Sequence, residues 1–182
     1  VTYPFPSSAL EFFENNTTIL DTTAAKGDYA GYFNNPDDSP PLDRAAGFTV
    51  NFTFRIYSET HSGSDRNGDG IDDRSGLSVI VICSDLAAVE LGFWENEIWV
   101  QEGGDDVPPN GDLFTHAEGA AFNTTEALVN YSLEILNDSY SLSAHGGQIL
   151  NGTLRDYTAF SGLLDPYETA NLLFIGDDTT SA

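Results

Sequence analysis

The chain has 182 residues, 40% of them hydrophobic and 12% aromatic, enough for one domain with its own core. Its 29 acidic residues against 6 basic ones give a net charge of −23, a surface that repels nucleic-acid phosphates and anionic lipid. The longest apolar run, Val79 to Cys83, is far shorter than the roughly 20 residues a membrane helix needs, so neither nucleic-acid binding nor membrane insertion is expected.

In chain order, residues 1–13 read as an N-terminal segment and a candidate inter-subunit strand, and residues 14–182 as the domain proper. The segment Val1-Thr-Tyr-Pro-Phe5 alternates, but Pro4 and Pro6 confine it to a sheet edge or a bulge. Short strands are expected at Ala9–Phe13 and Thr17–Leu20, and a loop at Asn34–Asp43. Phe48 to Tyr57 alternates, with Phe48, Val50, Phe52, Phe54 and Ile56 on one face. Ser62–Ser75 is a Gly/Asp-rich loop, and Leu77–Cys83 a continuous apolar strand. Val89–Trp94 and Ile98–Gln101 form a hairpin around Glu95-Asn96-Glu97, followed by a loop at Gly103–Asp112. Thr124–Leu128 has the look of one helical turn. Val129–Ile135, Tyr140–Ala144, Ile149–Leu154 and Leu172–Ile175 complete the strands. About ten short strands without an internal repeat predict an all-β fold, a two-sheet antiparallel jelly roll or β-sandwich.

Cys83, the one cysteine, reads as a small buried hydrophobe and excludes an internal disulfide. The chain starts at Val1 with no signal segment and contains no methionine, as a mature or trimmed product would.

Asn-x-Ser/Thr sequons occur at Asn15, Asn16, Asn51, Asn123, Asn130, Asn137 and Asn151. With 13 asparagines and about one residue in six Ser or Thr, chance gives roughly two. The excess predicts N-glycans and a secreted, extracellular or cell-surface location. The strand patterns turn Asn51 and Asn130 to the solvent face and place Asn137 in a turn, where a bulky glycan fits.

The sharpest motif is Asp65-Arg-Asn67-Gly-Asp69-Gly70-Ile71-Asp72-Asp73. Oxygen-bearing side chains at relative positions 1, 3, 5 and 9, with glycine at 6, converge on one point and suit calcium. The expected ligands are Asp65, Asn67, Asp69, the Ile71 carbonyl and Asp73. Position 12 is Gly76 where an EF-hand has a bidentate glutamate, so another part of the fold or water must complete the shell. The loop resembles those of dockerin and thrombospondin-type repeats.

The segments Gly92–Trp99, Thr115–Glu118, Leu154–Phe160 and Gly176–Thr179 resemble secreted concanavalin A-like (laminin G-like) jelly-roll domains of surface proteins. That resemblance runs over roughly residues 45–182 and implies two packed sheets, with no established activity. Its members continue past the Gly-Asp-Asp-Thr segment into another strand, so either the chain is cut short here or a sheet is left with an open slot.

No catalytic centre is expected. Glu95 and Glu97 lack the Glu-x-Asp-x-x-Glu arrangement and fall at a predicted turn, where carboxylates are solvated. His61, His116 and His145 have no metal-ligand spacing. The expectation is a structural subunit of a calcium-stabilised, N-glycosylated extracellular assembly, a homopolymer or filament built by head-to-tail strand addition. The alternative is a calcium-dependent lectin-like module, with Trp94, Trp99 and Tyr157 stacking on a carbohydrate ligand.

Overall fold

The computed structural model describes residues 2–4, 10–14, 16–22, 30–61, 70, 75–103, 115–160 and 165–178. These form thirteen strands: β1 (Thr2–Pro4), β2 (Leu10–Glu14), β3 (Thr17–Asp21), β4 (Ala30–Phe33), β5 (Phe48–Phe54), β6 (Leu77–Ile82), β7 (Ala88–Phe93), β8 (Glu97–Gln101), β9 (His116–Ala121), β10 (Val129–Leu136), β11 (Ser139–Ala144), β12 (Gly147–Thr153) and β13 (Leu173–Asp177). Seven make one sheet in the order β1-β4-β13-β6-β7-β8-β9. Four make a second, β12-β11-β10-β5, and β2 pairs with β3 as a separate hairpin. The fold is an all-β, two-sheet antiparallel sandwich, as the alternation predicts.

That alternation is what packs the sheets. Along β10, Val129, Tyr131, Leu133 and Ile135 are buried while Asn130, Glu134 and Leu136 are exposed. They meet Val79, Val81, Val89, Leu91, Phe93, Ile98 and Val100 of the larger sheet. Each fully buried Leu, Ile or Phe contributes about 1.5–3 kcal/mol before the cost of ordering the chain. Strands β6 to β8 read as continuous apolar runs because their other face is covered too. There Ile80, Ile82 and Ala88 pack with Tyr157, Tyr167, Leu172 and Phe174.

Two expectations are corrected, the open slot and the helical turn. The slot beside the last strand is filled: β4 pairs with β13 through Phe33↔Phe174 to Ala30↔Asp177. Beyond it, β1 pairs with β4 of the same chain, Thr2↔Tyr32, Tyr3↔Gly31 and Pro4↔Ala30. Thr124–Leu128 is a bend and not a helical turn. Asn123 Oδ1 accepts from the Thr125 N–H, and Thr124 Oγ1 donates to the Trp94 carbonyl at 2.7 Å, which holds the backbone out of a helix.

Candidate functional site

Six of the seven sequon asparagines, at 16, 51, 123, 130, 137 and 151, lie among the described residues and all are exposed; Asn15 lies outside them. Three share one surface, the outward face of the four-stranded sheet. Register fixes this: Asn130 stands opposite Thr53, Asn51 opposite Ser132, and Asn151 opposite Ser141. Their outward neighbours are Thr49, Glu134, Ser143 and Gln148, a polar face with a single kind of charge.

The hydrogen bonds of these amides have a common direction. Asn130 Oδ1 accepts from Thr53 Oγ1 at 2.6 Å, and Asn151 Oδ1 from Gln148 Nε2 at 2.9 Å. Asn123 Oδ1 accepts from both the N–H and Oγ1 of Thr125, the third residue of its own sequon. In each case the protein engages the amide oxygen, whereas the atom a glycan bonds is Nδ2. Asn34 and Asn35, which are not in sequons, instead donate from Nδ2, to the Asn171 carbonyl and to Asp38.

Asn137 tops the β10–β11 hairpin in a left-handed conformation, φ 54°. Its N–H donates to the Arg44 carbonyl at 2.7 Å, and Arg44 Nη1 donates to its carbonyl at 3.1 Å. Arg44 also reaches Asp138, and its Nε lies 2.8 Å from Asp85. That guanidinium holds the Asp85 carboxyl below the usual range. With Asp43, Ala45 and Ser84 these residues line a polar hollow of about 260 Å³.

The predicted calcium ligands Asp65, Asn67, Asp69, Ile71 and Asp73 lie outside the described residues. The chain on either side of them is described, and it meets a cluster that the sequence does not announce. Glu59 Oε2 is 2.7 Å from His61 Nδ1. The His61 ring lies parallel to Trp94 at 3.8 Å, and His116 lies against Trp99 at 3.9 Å. Glu97 Oε1 is 3.6 Å from His116 Nδ1. Burial raises the carboxyls of both Glu59 and Glu97 above the ordinary glutamate range, with His61 opposing the shift in each. His61 and His116, far apart in sequence, are therefore brought to one aromatic floor. Among the described residues no three of His, Cys, Asp and Glu converge as a metal site.

Two earlier expectations change here. Trp94, Trp99 and Tyr157 are 6%, 0% and 0% exposed, so none offers a free ring face for sugar stacking. Glu97 is not a solvated turn residue: it opens β8, and its side chain is 33% exposed. Another carboxylate is fully buried. Glu90 accepts from Ser78 Oγ at 2.7 Å and from the Tyr167 hydroxyl. A charged residue inside the apolar run Ala88–Phe93 was the signal for it.

No family model matches the chain, and no curated protein matches it. Among solved structures, one titled "Crh5 transglycosylase in complex with NAG" is similar at 12% identity and a TM-score of 0.32, over 86% of this chain and 78% of that one. A likeness so slight transfers no activity. The matched protein is an enzyme, against the expectation that this chain is none. The physical ground of that expectation, free solvation of Glu95 and Glu97, fails for Glu97 as described above.

Proposed function

We propose that this chain is a structural domain of an extracellular, N-glycosylated and calcium-stabilised assembly, a concanavalin A-like jelly roll whose copies join head to tail. The observation that carries this reading is the polar sheet face bearing Asn51, Asn130 and Asn151, all exposed, two of them with the amide oxygen held by the protein. Sugar on that face leaves the edges of the larger sheet for contact between copies. Assembly then uses exchange of β1: the three-residue pairing with β4, made within one chain here, is made by the neighbour's segment instead. Head-to-tail exchange does not close on itself, so it propagates as a filament. Calcium in the Asp65–Asp73 loop joins carboxylates that would otherwise repel.

The test is intact mass of the native protein before and after enzymatic deglycosylation, together with sedimentation of a variant lacking residues 1–6. Sugar on most sequons and loss of the polymer in the deletion are the expected results. A mass equal to the bare polypeptide sinks the surface-glycoprotein reading, and unchanged oligomers in the deletion sink strand exchange.

A further inference from the structure

We propose that the sugar carried by Asn123 stacks on the ring of Tyr57, so that this one glycan is docked on the fold and adds to its stability. The inference rests on the N-glycosylation proposed above. Tyr57 lies just past β5 and is 65% exposed, a large aromatic surface left in water. The Ile56 N–H donates to the Thr124 carbonyl at 3.1 Å, as opposite residues of antiparallel chains do. One residue further on, Tyr57 therefore stands opposite Asn123. Ile56 and Thr124 are buried, while Tyr57 and Asn123, next to them in the alternation, are exposed on the outer side. Residues opposite one another in this way have β-carbons about 4.5–5.5 Å apart, which brings the ring within reach of the first sugar on the asparagine.

Both partners are held in place beforehand. The Arg55 guanidinium lies over the Tyr57 ring, 4.8 Å from its centroid, and Arg55 Nε donates to the Thr125 carbonyl at 2.7 Å. Arg55 thus covers one face of the ring, leaves the other to solvent, and ties the ring to the third residue of the sequon. Asn123 Oδ1 accepts from the N–H and Oγ1 of Thr125, both at 2.9 Å, which fixes the amide. An amide and a ring already oriented lose little freedom when a sugar packs between them. A pyranose presents weakly positive C–H groups on its face, and these suit the negative face of an aromatic ring. The pairing of aromatic with sequon also recurs. Among the described residues the other exposed aromatic is Phe13, and it stands opposite Thr18, the third residue of the Asn16 sequon.

The experiment uses the full chain secreted from a eukaryotic host, as wild type, Tyr57→Ala, Tyr57→Phe, Asn123→Asp and the double variant of Tyr57→Ala with Asn123→Asp. Asn123→Asp removes the sugar but keeps the oxygen that accepts from Thr125. Peptide mapping of wild type should find a glycan on Asn123. Tyr57→Ala should then lower the melting temperature by roughly 2–4 °C in the glycosylated background and by much less in the Asn123→Asp background, the difference being the coupling between ring and sugar. Tyr57→Phe keeps the ring face and should match wild type. Nitration of Tyr57, read by the same mapping, should run several-fold slower in wild type than in Asn123→Asp, a shielding that a purely structural role of Tyr57 would not produce. Equal melting losses in both backgrounds with equal nitration rates would overturn the stacking and leave the glycosylation reading intact. A bare Asn123 beside sugar on other sequons would overturn this inference alone, and a chain bare at every sequon would take the glycosylation reading with it.

Discussion

Gly92 has no side chain because Trp99 lies where one would be. A β-carbon there would sit 2.3 Å from Trp99 Cε2, and the ring has no exposed side to move to. Gly92→Ala should therefore push the indole off its site and destabilise the fold by about 1–3 kcal/mol. A change in the near-UV signal of Trp99 together with a lower melting temperature checks this; an unchanged spectrum would show that the indole adapts. Glu97, two residues before Trp99, gives a pH test. Burial raises its folded carboxyl above the unfolded value, so its ionisation opposes folding. Its contribution to stability is full below the unfolded value near 4.5 and is lost as pH rises through the raised folded value. Glu97→Gln cannot ionise. It should melt above wild type at pH 7, and the difference should close near pH 4. A gap of constant size across that range would mean that the carboxylate's charge is not the cause.

At the scale of elements, the loop 34–43 is pinned by two asparagines rather than by apolar packing. Asn34 accepts from the Leu173 N–H at 2.8 Å and donates to the Asn171 carbonyl. Asn171, at φ 64°, accepts from the Leu42 N–H at 2.8 Å and from Ser84 Oγ at 2.7 Å. Asn171→Ala loses both bonds and strains a left-handed residue, for a cost of about 2–4 kcal/mol; Asn171→Gly loses only the bonds and should cost about 1–2. Equal losses in chemical denaturation would remove the backbone conformation from the account. Such pins explain what sequence could and could not reveal. β5, β6, β10 and β11 were legible because period-two alternation or a β-branched run records burial directly. β9 was not: His-Ala-Glu-Gly-Ala-Ala is built from poor strand formers, and the Gly119 position is occupied by the Glu97 carboxylate, 2.4 Å from a β-carbon placed there. β4 is four residues long and carries Gly31, which packs so closely on Gly176 that a β-carbon would stand 2.6 Å from its Cα. The sequon asparagines are a linear motif and needed no fold. The placement of Tyr57 opposite Asn123 is set by tertiary structure, and no local pattern encodes it.

For the whole molecule, charge decides how calcium binding will be recognised. A net charge of −23 on 182 residues makes the compact state self-repelling, so any added salt should raise the melting temperature by screening. Screening is gradual and indifferent to the cation's identity at a given ionic strength. Site binding is different: it saturates, and it adds RT ln(1 + [Ca²⁺]/Kd), about 2.7 kcal/mol at a hundred times Kd. The two effects separate in a melting experiment on chelator-treated protein held at about 0.15 M sodium chloride, where the Debye length is already near 8 Å. Calcium added at millimolar levels changes the ionic strength little, so screening predicts almost no further shift. Binding in the Asp65–Asp73 loop predicts a shift that rises and levels off, that magnesium does not match because it dehydrates reluctantly and demands a stricter octahedron, and that is absent in Asp69→Asn. A calcium response that sodium chloride reproduces at equal ionic strength, or that survives Asp69→Asn intact, would assign the stabilisation to the diffuse acidic surface and leave the loop without a structural metal.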